Sequence, residues 1–222
     1  MQLTRPALAL CVTTLLLGAQ EAMPLKLPPV TGGGATLYEA LAARKTVRTL
    51  GGPGLSLAEA GQLLWAAQGE NRPGRRTVPS AKAKYPLELY LVTAGASTLP
   101  AGLYHYESSG HLLKKLAEGG PQELLGRVKG MQPWIPDAPA VFVLAGVPTR
   151  IDPTGKGNAV PFTYYEGGAA AQCLLLQAAA LGLGAGTAGG VDMEAVGQAL
   201  KLPAGTQAMI LLPVGREKGS GS

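Results

Sequence analysis

The stretch from residue 164 to residue 190, YYEGGAAAQCLLLQAAALGLGAGTAGG, decides the fold. Residues 164–181 are almost free of charge and long enough for several helical turns, so they predict the core helix. The glycines of 182–190 then predict a loop whose backbone can approach another group closely. The dinucleotide-binding fingerprint does not apply, because it needs a strand before the glycines and these follow a helix. A tight connection between core elements is the competing interpretation of this glycine loop.

Regular elements are predicted on both sides of the core helix. Thr36 with Glu39, and Ser56 with Glu59, have the spacing of capping boxes and predict two helices. The segments LELYLVTA, APAVFVLAGV and TQAMILLPVG read as strands, GLYHYESSGHLLKKL reads as a hairpin, and PQELLGRV and DMEAVGQAL read as short helices. Helices and strands mix without a regular βαβ repeat, so the sequence predicts an α+β sandwich around one sheet.

The first residues have the pattern of a secretory signal peptide, predicted over residues 1–22. Arg5 precedes an apolar run from Ala7 to Leu17, and small residues follow. The run is too short for a membrane span, so we expect no stable span after cleavage and a mature chain beginning between Gln20 and Met23. The protein is then expected to be exported, to a periplasmic or extracellular location. A buried N-terminal helix is the alternative.

The remaining chain is predicted to be one domain at 36–217, preceded by a linker at 23–35 and followed by a tail at 218–222. A net charge of +5 favours an anionic ligand, but no long Lys/Arg run of the nucleic-acid-binding type is present. After cleavage Cys173 is the remaining cysteine, inside the apolar core helix, so neither an internal disulfide nor a zinc site is expected. His105 and His111 do not have a metal-ligand spacing, and no metal site is predicted.

A basic segment, RKTVR at 44–48, follows the first predicted helix. Arg44, Lys45, Thr46 and Arg48 supply the converging cations and the hydroxyl that a phosphate group requires. A solvated basic end that favours the helix dipole is the alternative. Arg216 follows the last central strand, where its side chain could reach a ligand at the end of the sheet.

A second basic segment, RRTVPSAKAKYP at 75–86, runs directly into the strand LELYLVTA. No helix is expected in it, because Pro79 and Pro86 break helices and fix the path of the chain. Between the prolines the loop offers small residues, cations and a phenol: Ser80, Ala81, Lys82, Lys84 and Tyr85. An exposed loop with incidental lysines is the alternative.

The order and spacing of these segments resemble those of the FMN-dependent nitroreductase family, and in particular its branch of azoline (thiazole- and oxazole-forming) peptide oxidases. The resemblance covers residues 37–217 and is carried by ARKTVR, LSLAEAGQLLWAAQGEN, RRTVPSAKAKYPLELYLV, GLYHYESSGHLL, EGGAAAQCLLLQAAALGLGAGTAGGVD and ILLPVGRE. It implies a nitroreductase-like α/β sandwich around a central, mostly antiparallel sheet. It also implies an intertwined homodimer with two FMN molecules at the interface.

The resemblance implies a role for each candidate residue. Arg44 and Thr46 would hold the FMN phosphate next to Lys45, Arg216 would return to that phosphate, and Arg48 would lie by the pyrimidine edge. The loop after Pro79 would run along the flavin ring, with three residues closest to it: Ser80, Ala81 and Lys82. The backbone of Gly189 and Gly190 would face N5.

The same branch includes oxidases with a Lys-Tyr pair that transfers protons, and Lys84-Tyr85 resembles that pair. Packing of Tyr85 at the mouth of the strand is the alternative. Two positions depart from the family pattern, because Ala83 stands where many nitroreductases have Asn, and Lys82 stands where the peptide-modifying branch often has Gly. The peptide-recognition domain that azoline oxidases add is also missing from this sequence.

The expected function is therefore that of an FMN-dependent oxidoreductase, acting on a small organic or peptide substrate outside the cytoplasm. NAD(P)H is a possible electron donor, although it is scarce outside the cytoplasm. Two other classes stay open. One is a redox-inactive protein of the flavin fold that serves in binding or assembly, and the other is a phosphate- or nucleotide-binding module without flavin.

Overall fold

The computed structural model describes residues 24–31 and 34–219. The predicted signal peptide, part of the predicted linker and the last three residues lie outside this part of the chain. The strands are Leu25–Lys26 (β1), Leu50–Gly51 (β2), Glu70–Arg72 (β3), Arg75–Arg76 (β4), Leu87–Thr93 (β5), Gly102–Glu107 (β6), Leu112–Ala117 (β7), Ala140–Gly146 (β8), Gly184–Ala185 (β9) and Gln207–Glu217 (β10). The α-helices are Leu37–Ala43 (α1), Leu57–Gln68 (α2), Pro121–Leu125 (α3), Ala159–Ala180 (α4) and Met193–Ala199 (α5).

One antiparallel sheet organises the domain. Its strand order is β1-β7-β6-β5-β8-β10-β2, and β9 pairs with β10 outside this path. Strand β8 is buried at every position and lies between β5 and β10, with Phe142 opposite Leu91 on one side and Leu212 on the other. The predicted α+β fold around a central antiparallel sheet is confirmed.

The two faces of the sheet carry separate apolar layers, because successive strand residues point to opposite faces. Phe142 packs on one face with residues of α2 and α4, such as Leu64 and Leu174. Val141 and Val143 point to the other face, where they pack with residues of α3 and α5. Helices therefore cover both faces, as a sandwich around the sheet requires.

The local signals on both sides of the core helix are confirmed. Thr36 and Ser56 cap α1 and α2, and each forms the predicted reciprocal capping box with Glu39 and Glu59 respectively. Strands β6 and β7 form the predicted hairpin, and Asp192 caps α5 by accepting a hydrogen bond from Ala195 at 3.0 Å.

The core helix differs from its prediction in extent and in surroundings. Helix α4 begins at Ala159 rather than at residue 164, because Pro161 falls in its first turn, where a missing N–H is tolerated. Its aromatic residues Tyr164 and Tyr165 are exposed, whereas its single charged residue, Glu166, is buried. Within 24–31 and 34–219, α4 included, no helix has the length and hydrophobicity needed to cross a membrane.

Both predicted loops contain more regular structure than the sequence indicates. Gly184–Ala185 of the glycine loop form β9, and Ala188 makes an antiparallel bridge with Leu211. Arg75–Arg76 of the basic segment form β4, which pairs with β3. The expectation of no helix in that segment is wrong for Ala81–Ala83, which form one 3₁₀ turn. The prolines flank this turn without entering it.

Candidate functional site

The basic segment 44–48 and the glycine loop lie side by side. Thr46 makes a parallel bridge with Ala185 of β9, and the Val47 N–H donates to the Ala185 carbonyl at 3.0 Å. A cleft of about 170 Å³ opens beside this pairing, lined by Arg44, Lys45, the end of α4 and the beginning of the glycine loop. The fold therefore brings together two motifs that are about 140 residues apart in the chain. We call this space the cationic cleft.

The charges around the cationic cleft are accessible to an incoming anion. The Lys45 ammonium lies 2.9 Å from the Glu217 carboxylate, and the two side chains are 64% and 32% exposed. A surface ion pair of this kind contributes little free energy, so an anionic ligand can replace it. Arg44 is half-buried at the end of α1. Arg48 is exposed, and its guanidinium lies 5.8 Å from the ring centroid of Trp134.

The glycines of the loop have two different roles. A Cβ on Gly186 would lie 3.1 Å from Thr46 and 3.2 Å from Trp134, so close packing accounts for this glycine. Gly189 and Gly190 are exposed, and a Cβ on either would meet nothing within 4 Å. Their backbone is open to approach by a ligand, so the two glycines that were predicted to face a flavin are not required by internal packing.

Arg216 is engaged with α2. Its Nη2 donates to the Glu59 carboxylate at 2.7 Å, while its Nη1 is buried without a partner among the described residues. Burial alone would raise the pKa of Glu59, but hydrogen bonds from Ser56 and the ion pair with Arg216 hold this pKa below its usual value. The neighbouring residue, Glu217, lines the cationic cleft, since adjacent residues of a strand point in opposite directions.

The segment from Ser80 to Tyr85, which we call the ring loop, is anchored to α4 by a buried carboxylate. Ser80 Oγ and the Ala81 N–H donate to Glu166 Oε1 at 3.1 and 2.8 Å, and the Tyr85 N–H donates to Ser80 Oγ at 2.7 Å. Glu166 is only 3% exposed. A buried carboxylate is tolerated when donors satisfy it, so these bonds hold both partners in place. Pro79, which precedes the ring loop, and Lys84, which lies within it, are exposed.

The ring loop has a strained backbone. Lys82, Ala83 and Tyr85 have φ values of 53°, 54° and 46°, in the left-handed region that residues other than glycine rarely adopt. Each such residue costs roughly 1–3 kcal/mol, and it persists only where the surroundings impose the conformation. Conformations of this kind are concentrated at binding and catalytic sites, which makes the ring loop a candidate site independently of its composition.

The cationic cleft and the ring loop lie towards opposite ends of α4. Glu166 holds the ring loop near the beginning of the helix, whereas Leu175 and Ala179 line the cleft near its end. These positions are 9 and 13 residues beyond Glu166, which is roughly 14–20 Å along a helix that rises 1.5 Å per residue. Within one chain, the fold thus joins the basic segment to the glycine loop and places the ring loop at a distance from both.

Comparisons with known proteins agree with this architecture. The family model of the nitroreductase family matches residues 41–216. A predicted nitroreductase of Methanocaldococcus jannaschii is 30% identical over 200 residues, covering 89% of this chain and 98% of the relative. The chain belongs to the nitroreductase family. This membership supports the conclusion that the protein is an oxidoreductase.

Solved structures show the same fold. A nitroreductase-type protein of Ralstonia eutropha superposes with a TM-score of 0.78 at 27% identity, covering 88% of this chain and 90% of that one. A chain of the Escherichia coli microcin synthetase McbBCD complex, solved with truncated pro-MccB17 bound, gives a TM-score of 0.65 at 19% identity. That alignment covers 94% of this chain and 84% of the synthetase chain, and at this identity it shows the fold alone.

Several residues of the site were missed by sequence reasoning. Glu166 anchors the ring loop, and its signal was available, since it is the single charge in a long apolar helix. Arg150 donates to the Tyr85 carbonyl at 3.0 Å, and Trp134 lies against Arg48. The sequence gives no comparable signal for Arg150 or Trp134, because their positions depend on how distant segments pack.

The anchoring role of Glu166 predicts a difference between two substitutions. Glu166→Ala leaves two part-buried donors without their acceptor and should lower the free energy of unfolding by about 1.5–3 kcal/mol, measured by urea denaturation. Glu166→Gln should cost less, because the amide oxygen can still accept from the Ala81 N–H. An alanine variant as stable as the wild type would show that the ring loop does not depend on this carboxylate.

Proposed function

We propose that the protein is an FMN-dependent oxidoreductase that transfers hydride or electrons to or from a small organic or peptide substrate. The observation that carries the proposal is the backbone pairing of Thr46 with Ala185, which brings the phosphate-type segment against the glycine loop beside a cationic cleft. Membership of the nitroreductase family supports the same chemistry, because its members generally use FMN and NAD(P)H. NAD(P)H is accordingly a candidate donor.

The residues present fit FMN. Arg44 and Lys45 offer cations and Thr46 offers a hydroxyl to the phosphate, since the surface ion pair of Lys45 is weak enough to be exchanged. Arg216, which was expected to return to the phosphate, instead points away from the cationic cleft and pairs with Glu59 of α2, so it is not assigned to the phosphate. Gly189, in the same glycine loop as Ala185, presents open backbone that can approach a flat ring.

The chemistry divides between the cofactor and the chain. FMN, when bound, supplies hydride transfer at N5. Arg48 is proposed to stabilise negative charge at the pyrimidine edge, as a fixed cation does for a developing anion. The ring loop would orient the flavin ring and would exclude water from the side that it covers. Lys84 and Tyr85 are proposed to move a proton at the Tyr85 hydroxyl.

A second copy of the chain is proposed to complete each site. Glu166, which anchors the ring loop, lies roughly 14–20 Å along α4 from the residues of this helix that line the cationic cleft. Apolar side chains are exposed on α1 and on the first half of α4. Tyr38 is 79% exposed and Tyr165 is 71% exposed, which is unusual for aromatic side chains of a monomer. A homodimer that buries this surface can place the ring loop of one chain beside the cationic cleft of the other. Members of the family are typically dimers.

Two further parts of the proposal rest on the sequence. Export to a periplasmic or extracellular location follows from the signal-peptide pattern of residues 1–22. Assignment to the branch of the azoline peptide oxidases follows from the collinear motifs and from the Lys84-Tyr85 pair. The microcin synthetase structure is compatible with that branch through its fold.

The phosphate role of Arg44 predicts a loss of cofactor affinity. Arg44→Ala should weaken FMN binding by about 1.5–3 kcal/mol, the contribution of a charged hydrogen bond, which raises the Kd about 10- to 150-fold. Fluorescence titration of the flavin measures this change. Arg127→Ala, which removes an exposed arginine beyond the end of α3, is the matched control and should leave the Kd unaltered. Equal affinities of the Arg44 variant and the wild type would refute the phosphate assignment.

The proposed dimer gives a separate prediction. Light scattering of FMN-loaded protein should give the mass of a dimer with two bound FMN. The double variant Tyr38→Glu, Tyr165→Glu should dissociate and lose flavin, because charges replace apolar groups at the interface. Leu116→Glu introduces the same charge at a separate exposed apolar residue on β7, where Leu116 is 53% exposed, and should remain dimeric. A wild-type monomer that retains flavin at low concentration contradicts the shared site.

A further inference from the structure

Tyr85 is held by four different contacts. Its N–H donates to Ser80 Oγ at 2.7 Å, and its carbonyl accepts from Arg150 Nη1 at 3.0 Å. Its ring faces the Arg76 guanidinium, whose central carbon lies 4.8 Å from the ring centroid. Its hydroxyl donates to the Gly74 carbonyl at 3.4 Å. Every polar group of this residue, and one face of its ring, is therefore in contact with another residue, and three of the four contacts come from outside the ring loop.

The conformation of Tyr85 requires such support. Its φ of 46° lies in the left-handed region, which is unfavourable for a residue with a Cβ. The next residue is Pro86, and a residue before proline strongly prefers extended conformations. Two independent local preferences thus oppose the observed backbone, so contacts from outside the loop must maintain it.

Arg150 is itself held in place by Glu88 of strand β5. It ends the 3₁₀ turn Pro148–Arg150 that follows β8, and its Nη2 forms an ion pair with the Glu88 carboxylate. The other oxygen of Glu88 lies 2.5 Å from His105 Nε2 on the adjacent strand β6. Burial alone would raise the pKa of Glu88, but the hydrogen bonds from His105 and Arg150 hold it below its usual value. The guanidinium of Arg150 is thereby fixed between the sheet and the ring loop.

Arg76 supports the other side of Tyr85. Its Nη1 donates to Gln68 Oε1 at 2.8 Å and to the Leu87 carbonyl at 3.5 Å, which are both neutral acceptors. Burial lowers the pKa of Arg76, and the nearby Glu88 carboxylate partly offsets this effect. Two guanidinium groups therefore bracket Tyr85. Of the two, Arg150 contacts the backbone carbonyl and can act directly on the conformation of the ring loop.

We propose that Arg150, fixed by Glu88 and His105, is the positioning residue that holds the ring loop in its cofactor-binding conformation. It acts through its hydrogen bond to the Tyr85 carbonyl. This role rests on the proposed function, in which the ring loop lies against FMN. Contacts of the chain itself thus hold the strained conformation, so the loop is preorganised for the cofactor.

Amide hydrogen exchange in FMN-free protein tests directly whether Arg150 orders the ring loop. The amides of Ala83, Lys84 and Tyr85 are hydrogen-bonded within the ring loop. In Arg150→Met these amides should exchange at least about 10-fold faster, whereas amides of β8 and β10 should keep their wild-type protection. Arg150→Lys should restore part of the protection, because an ammonium can still donate to the Tyr85 carbonyl but lacks the two separate Nη groups with which Arg150 binds this carbonyl and Glu88 together.

Flavin titration of the same variants tests the consequence for the site. The Kd for FMN should rise about 5- to 10-fold in Arg150→Met, with a smaller rise in Arg150→Lys and none in Arg127→Met. Glu88→Gln, which releases Arg150 without removing it, should change exchange and affinity in the same direction as Arg150→Met. This second variant keeps the test decisive if Arg150→Met does not fold.

The possible results separate the two proposals. Unaltered exchange of the ring-loop amides in both Arg150→Met and Glu88→Gln would overturn the positioning role. Faster exchange with an unaltered Kd would also overturn the positioning role, since the order of the ring loop would then have no effect on FMN binding. A wild-type protein that binds no FMN would contradict the proposed function, and the exchange data would still decide whether Arg150 orders the loop.

Discussion

The buried carboxylate of Glu166 anchors the ring loop to α4, and the geometry of the candidate site depends on this anchor. A carboxylate removed from water is costly unless donors satisfy it, and Ser80 and Ala81 supply those donors at 3.1 and 2.8 Å. The loop therefore cannot leave the helix without exposing an unsatisfied charge. Arg150 in turn donates to the Tyr85 carbonyl, at a residue whose backbone conformation local preferences oppose.

The position of this anchor has a consequence for assembly. Because Glu166 lies near the beginning of α4, the ring loop is separated from the cationic cleft at its end. A compact cofactor that must contact both is best accommodated when two chains contribute to one site. The exposed aromatic residues of α1 and α4, among them Tyr38 and Tyr165, are the surface that such a dimer would bury. One constraint within α4 thus underlies both the proposed shared cofactor site and the proposed homodimer.

The local part of this structure could be predicted from the sequence, and the long-range part could not. The capping boxes of α1 and α2, the β6–β7 hairpin and the central strands are determined by neighbouring residues, so their patterns are visible in the sequence. The strands β1, β2 and β9 have two residues each, which is too short for any periodicity. The pairing of Thr46 with Ala185 depends on the register of distant segments.

Among the functional residues, too, those whose roles depend on long-range contacts could not be predicted from the sequence. The composition of the ring loop pointed to a ligand, but its left-handed residues are Lys82, Ala83 and Tyr85, none of which is the glycine that usually marks such a backbone. The contact between Glu88 and His105 requires the two strands to be paired in the observed register, and Arg216 binds Glu59 across the fold. Only Glu166 had a visible signal, as a charge within an apolar helix.

Subunit complementation tests most directly whether two chains share one flavin site. Arg44→Ala damages the cationic cleft and Glu166→Ala damages the ring loop, so each variant alone should bind FMN weakly at both of its sites. Mixed dimers of the two variants should regain wild-type affinity in about one quarter of all sites, since half of randomly assembled dimers are mixed and one of their two sites carries neither substitution. No recovery of tight sites in the mixture would mean that one chain supplies both parts, and would contradict the shared site.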